Sequence, residues 1–397
     1  MRNHARLLTI FAAALPLVAL ACGKVLGIEE VGYGAVASDS GVTQPDASSS
    51  DAPSGADGPI CGKDELACGG TCTTIKTSPI HCGRCGHDCG GGTCTEGACD
   101  PIALGAVDPL VEKPHGLVLG ADAVFFTTYA VASPGDKGGR VLSVPKKGGG
   151  LVSEIAKGEG LPSYLTILND RLFWTSWTLG ELRSAEITAG GVNGVTTRGS
   201  TPGISLFGIT TDGSGVFVTM FTSNQVGRFE PSGDAGASPT AITSGEEEPR
   251  MLTTDGTNLY WSNLHAIRAR AISGGAVRDV VKGLQKGWSV NLRGGYLYYS
   301  DNVLGTIGRV KDPQSDPPGL PEPMADGFGG VKVMAVDDTA AYAGDQGKDR
   351  VMRVETTAPF KQSLVASGQR GPVAVALDDK FVYWVNSDDG RVMKVAK

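Results

Sequence analysis

Between Pro101 and Lys397 the chain repeats one pattern of apolar and polar positions. A short apolar strand is followed by a polar turn, then by a strand with adjacent large apolar residues. A loop, a strand of the GRV type and a Gly-rich turn complete the unit. The second strands read AVFFTTY, RLFWTSW, GVFVTMF, NLYWSNL, YLYYSDN, AAYAGDQ and FVYWVNS. Their anchor positions are Phe126, Trp174, Val218, Trp261, Tyr299, Ala343 and Trp384, at intervals of 48, 44, 43, 38, 44 and 41 residues. A unit of about 40–45 residues holding four short β-rich runs is the blade of a β-propeller. Seven units predict seven blades; a count of six or eight follows if a weak unit such as 213–231 is misread.

Within Gly256–Arg268, alternation along a strand turns Leu259 and Trp261 one way and Tyr260 the other. Both faces need cover because each blade packs between two others, so apolar residues run consecutively. The third strands repeat as well, as in GRVLSV from Gly139 and GRVMKV from Gly390. The chain stops directly after its last third strand, and Ile102–Glu112 precedes the first unit. That segment is expected to supply the outer strand of the final blade, leaving no open edge.

Composition agrees with an all-β chain: charged residues are 19% and glycines number 58, about twice the usual share. The net charge is −7, and no basic stripe offers itself to phosphates, so no nucleic-acid partner is expected. Residues 1–21 pair a basic start (Arg2, His4, Arg6) with an apolar run from Leu7 to Leu20. The run is too short to span a bilayer and matches a secretory signal peptide. It ends in VALAC at Cys22. This resembles the lipobox of bacterial lipoproteins, although Ala19 and Leu20 depart from its commoner residues. The resemblance implies acylation of Cys22, a membrane tether through the N-terminal lipid, and export to the cell envelope, facing the outer membrane or periplasm. Two or three acyl chains hold where one is marginal. With Cys22 lipidated, the nine Cys leave an even eight.

Residues 22–60 read as lipid attachment and linker. From Ser38 to Pro59 they carry four Asp, no Lys or Arg and almost no large apolar residue, too little to repay ordering. The next 39 residues hold Cys61, Cys68, Cys72, Cys82, Cys85, Cys89, Cys94 and Cys99. So small a segment needs disulfides or a metal. Export favours disulfides; zinc at Cys82 and Cys85 with His81 and His87 is the rival. The pattern CG.CG..C.GG.C..G.C resembles the stigma-specific cysteine-rich family, which implies a small extracellular module.

The repeat of residues 101–397, with YW followed by GR.(M/K)V, resembles bacterial propellers of the YWTD and NHL types. That resemblance speaks to fold and not to function. The propeller has two His, His115 and His265, no GxSxG elbow and no Cys; no catalytic residue and no cofactor is assigned. Propeller ligands gather where loops enter the innermost strands, and there His115, Tyr164, Arg250, Lys286, Trp288 and Arg370 form the candidate binding face. Mixed aromatic and charged character fits an interface. The leading expectation is a tethered module binding a protein, peptide or glycan. One alternative is a lactonase-like hydrolase with a channel cation on Glu248, Asn263, Asp301, Asp345 and Asn386. The other is a structural envelope protein.

Overall fold

A computed structural model describes residues 59–131 and 138–397. The signal peptide, Cys22 and nearly all of the linker lie outside the described residues. Within them the chain is all β apart from one short 3-10 turn, Gln346–Lys348. No helix among the described residues is long and apolar enough to cross a membrane.

Seven four-stranded antiparallel sheets form the seven blades. Blade 1 comprises Glu112–Leu119, Ala123–Ala130, Arg140–Pro145 and Ser153–Lys157, innermost strand first. Blades 2 to 6 repeat this order over residues 162–200, 206–244, 252–282, 287–325 and 334–367. The weak unit is thus a complete blade, its second strand being Val216–Met220. Blade 7 combines Pro372–Leu377, Phe381–Asn386 and Arg391–Ala396 with Ile102–Ala106. The register Arg391↔Ala106 and Val392↔Gly105 joins the two ends of the propeller and removes its open edge.

The core lies between blades. Leu259 and Trp261 pack with Phe217, Val226 and Leu252 on one side, while Tyr260 packs with Val290, Leu297 and Tyr299 on the other. Three anchors are fully buried Trp, and each indole N–H needs a partner. Trp174 Nε1 donates to Glu159 Oε2 at 2.7 Å, Trp261 Nε1 to Glu246 Oε2 at 2.7 Å, and Trp384 Nε1 to Gln369 Oε1 at 3.1 Å. Arg183 and Arg268 neutralise the two glutamates, each at 2.9 Å. Met393 stands opposite Trp384, where Arg183 and Arg268 stand opposite theirs. The neutral glutamine therefore goes with a neutral partner.

Residues 61–99 fold as two small hairpins, Glu65–Cys68 with Thr71–Thr74 and Cys94–Thr95 with Ala98–Cys99. Four disulfides hold them: Cys61–Cys72, Cys68–Cys85, Cys82–Cys94 and Cys89–Cys99. Cys82 and Cys85 thus bond to different partners, His81 Nδ1 accepts from Gly86 N, and His87 Nδ1 lies 2.6 Å from Cys82 O. This disposes of the zinc alternative, since every candidate thiol is consumed. Four disulfides fit an oxidising compartment. Gly90 lies against the Phe381 ring with no room for a side chain, and Arg84 donates to Lys397 O at 3.2 Å, so the module sits on blade 7.

Candidate functional site

In five of the seven blades one hydroxyl ties the innermost strand to that of the next blade. Thr127 Oγ1 accepts from Gly116 N at 2.9 Å, on its own innermost strand, and donates to Ser163 O of blade 2 at 2.8 Å. Thr175 does the same between Tyr164 N and Phe207 O, and Thr219 between Gly208 N and Arg250 O. Ser262 links Met251 N to Trp288 O, while Ser300 links Ser289 N to Val331 O. Each hydroxyl spends both its acceptor and its donor capacity in the interior. Blades 6 and 7 place Gly344 and Val385 at this position. There Val333 and Ala374 bridge directly, and a Cβ at Gly344 would press on Pro372 O at 2.6 Å.

The residues held in front of these amides form a ring of seven: His115, Ser163, Phe207, Arg250, Trp288, Lys332 and Val373. Phe207 reaches across the channel. Its ring centroid lies 6.3 Å from that of His115, 5.1 Å from Tyr164, 5.4 Å from Trp177 and 6.0 Å from Trp288. The channel is plugged by aromatic rings at this level. Beside the plug a cavity of about 340 Å3 opens, lined by His115, Tyr129, Leu161, Pro162, Ser163, Trp177 and Lys332. Leu161 and Glu248 hold φ of 57° and 48° immediately before Pro162 and Pro249. A left-handed non-glycine residue costs of order 1–3 kcal/mol and is retained where the surroundings dictate it. A larger concavity, about 1130 Å3, runs along blades 1 and 2. Hairpin turns such as those at Asp122, Asp170 and Gly191 line it, and Phe125 is its only aromatic ring among the described residues.

Positive charge gathers at the mouth. Arg250, Lys286 and Lys332 stand 5.2, 5.5 and 5.7 Å from the Trp288 ring centroid, within cation–π range. Arg250 pairs with Glu248 and Lys113 with Asp388. Burial, then repulsion from Lys286, lowers the Lys332 pKa. Burial also pushes His115 down to about 4, helped by Lys332, so its imidazole is neutral at neutral pH. His115 keeps part of its ring toward the cavity while protein atoms surround it on the other sides. Burial raises Tyr164 and lowers Arg250. The Trp288 Nε1–H is buried and has no hydrogen-bond partner of ordinary geometry among the described residues, although the Tyr164 hydroxyl is near enough to feel the indole.

The structure brings His115, Tyr164, Arg250, Lys286 and Trp288 together. Arg250 and Trp288 are wall residues, 2% and 9% exposed, where the sequence suggested loop side chains offered to a partner. Arg370 is exposed and stands outside the cluster; its carbonyl accepts from Asp388 N at 3.1 Å. Sequence reasoning missed Phe207 and Lys332, because it placed the entering loops at Thr201 and Phe328, a few residues early. A signal was present: each ring residue lies twelve positions before the residue that follows the anchor, as Phe207 does before Thr219 and Lys332 before Gly344.

The candidate cation ligands have other duties. Asn263 Oδ1 accepts from His265 N and Ala266 N, and Asp301 Oδ1 from Lys286 N, Val303 N and Leu304 N. Asp345 holds Gly329 N and Arg350 Nε, and Asn386 Nδ2 donates to Gln369. These residues tie blade edges to loops. Asp212 and Asp255 likewise cap their own turns.

No protein-family description matches this chain, and no curated protein matches it in sequence. Solved structures do. Virginiamycin B lyase from Staphylococcus aureus superposes with TM-score 0.58 at 14% identity, over 75% of this chain and 98% of that one. A catalytically inactive variant of that lyase with quinupristin gives 0.59 at 14% identity, over 75% and 99%. Kuenenia stuttgartiensis hydrazine synthase gives 0.56 at 15% identity, over 73% and 97%. At such identities the similarity establishes the seven-bladed fold and no activity.

Proposed function

We propose that this chain is an exported, lipid-tethered binding protein whose ligand enters the propeller mouth beside Phe207. The observation that carries the reading is a small cavity lined by His115, Tyr129, Trp177 and Lys332, from blades 1, 2 and 6, beside the aromatic cluster around Phe207. Such a site offers apolar contact with a few oriented polar groups, the usual composition of a ligand pocket. The signal peptide and Cys22 supply the tether, and the acidic linker supplies reach. A hydrolase with a channel cation finds less support, because Asn263, Asp301, Asp345 and Asn386 are engaged in turns and blade edges. The ligand remains a peptide, protein segment or glycan in this proposal.

The test is site-directed photo-crosslinking on intact cell envelopes, with the photoreactive residue in place of Trp177. A control carries it in place of Leu320, an exposed residue far along blade 5. A discrete adduct from the Trp177 position alone is expected. Equal or absent adducts at both positions would overturn the binding role. Loss of fatty-acid labelling in Cys22→Ala tests the tether separately.

A further inference from the structure

We propose that the mouth cavity recognises a carboxylate carried on an apolar or aromatic body; this deepens, and rests on, the binding role assigned to this face. Two carboxylates at the mouth have partners, Glu248 in Arg250 and Asp388 in Lys113, and Asp388 also attracts Lys332 from beyond contact distance. What remains is positive. Lys286 and Lys332 both stand over Trp288, and neither has a carboxylate oxygen within 4.0 Å among the described residues. Lys332 lines the cavity. An unmatched cation in a half-dry cavity loses hydration without an ion partner, a debt that an anionic ligand settles.

The polar inventory points the same way. Trp288, 91% buried, stands behind the cavity with its N–H beside the Tyr164 hydroxyl. His115 Nδ1 lies 3.3 Å from Ser163 O, so in the neutral ring it is Nδ1–H that donates to that carbonyl. His115 is then left with Nε2 as an acceptor, and the donors open to a ligand are the Lys286 and Lys332 ammoniums, which suit an acceptor-only group such as a carboxylate. Around them Trp177, Tyr129 and Leu161 form an apolar wall for the body that carries it. The chain as a whole is acidic, at −7, so this concentration of positive charge is local. A phosphate dianion has more hydration to lose than a carboxylate on entering so apolar a cavity.

Isothermal titration of the mature chain tests the assignment with four probes: N-acetylphenylalanine, its primary amide, glucuronate and inorganic phosphate. The acid is expected to bind at least about tenfold tighter than the amide, the usual worth of one charge-assisted hydrogen bond, and to weaken as salt is raised. Lys332→Met should abolish the difference between acid and amide; Lys286→Met serves if that variant does not fold. Preference for N-acetylphenylalanine over glucuronate is expected, and the reverse order would overturn the apolar body. Equal affinity for acid and amide would overturn the carboxylate while leaving the binding role intact. Phosphate binding tighter than either acid would overturn it too. Silence from all four probes removes the carboxylate, and the crosslinking result then judges the binding role by itself.

Discussion

Glu246 offers a sharp energetic test of how the blades are held. Its carboxylate is fully buried and accepts from Trp261 Nε1 at 2.7 Å, Arg268 Nη1 at 2.9 Å, Asn263 Nδ2 at 3.4 Å and Thr243 Oγ1 at 3.0 Å. Glu246→Gln keeps an oxygen for the indole but removes the charge that faces Arg268. Breaking a buried ion pair costs about 3–5 kcal/mol. Arg268 is a quarter exposed and keeps Asp279 at 3.0 Å, which brings the expected loss to about 2–3 kcal/mol. Blade 7 shows the remedy, since Gln369 there coexists with Met393 opposite Trp384. Arg268→Met alone strands the buried carboxylate and should also cost about 2–3 kcal/mol. The double variant Glu246→Gln, Arg268→Met copies the blade 7 arrangement and should lose only about 1 kcal/mol, a coupling of about 3–5 kcal/mol. Urea unfolding followed by Trp fluorescence, on the wild type and all three variants, measures the cycle. Additivity within about 0.5 kcal/mol would refute the claim that the charge pair, and not the indole bond, dominates this contact.

Other consequences can be measured as readily. His115 titrates near 4 when folded against 6.5 ordinarily; between those values the unfolded chain binds a proton that the native chain does not. Stability should therefore fall as pH drops from about 6.5 to about 4, by up to about 3 kcal/mol. His115→Gln should flatten that part of the profile, and an unchanged slope would contradict the assignment. Thr219→Val leaves Gly208 N and Arg250 O without their shared hydroxyl and should cost about 2 kcal/mol in the same urea assay. Gly344→Ser, although it restores a hydroxyl to the series, should destabilise, because its Cβ meets Pro372 O; a stabilised variant would show that blades 6 and 7 can separate freely. Reduction of the four disulfides should open residues 61–99 to protease, each loop contributing about 3 kcal/mol. The cysteine-free propeller should keep its own unfolding transition, and its collapse under reductant would mean that the module is part of its core.

The repeat, and with it the blades, is written in the local pattern of apolar residues. An unbroken apolar pair such as Tyr260–Trp261 is stable only in a strand covered on both faces, and seven such strands at nearly even spacing admit few arrangements. The closing strand was legible for the same reason, because Ile102–Ala106 had no other unit to complete. Fixed offsets also lay in the text: fifteen residues before each Trp anchor stands Glu159, Glu246 or Gln369, whereas Leu284 and Phe328 hold that place before Tyr299 and Ala343. What those offsets mean appears only in three dimensions. Disulfide partners depended on which sulfurs the two hairpins bring together. Nothing in the local pattern singled out Lys332 or Phe207. Closure of the ring turns Phe207 into the plug of the channel and sets Lys332, from blade 6, over Trp288 of blade 5 and beside His115 of blade 1. Local pattern specifies a strand because the strand's own neighbours bury it. A site at the axis is made by residues up to 217 positions apart, from His115 to Lys332, whose meeting is a property of the closed ring and of no segment within it.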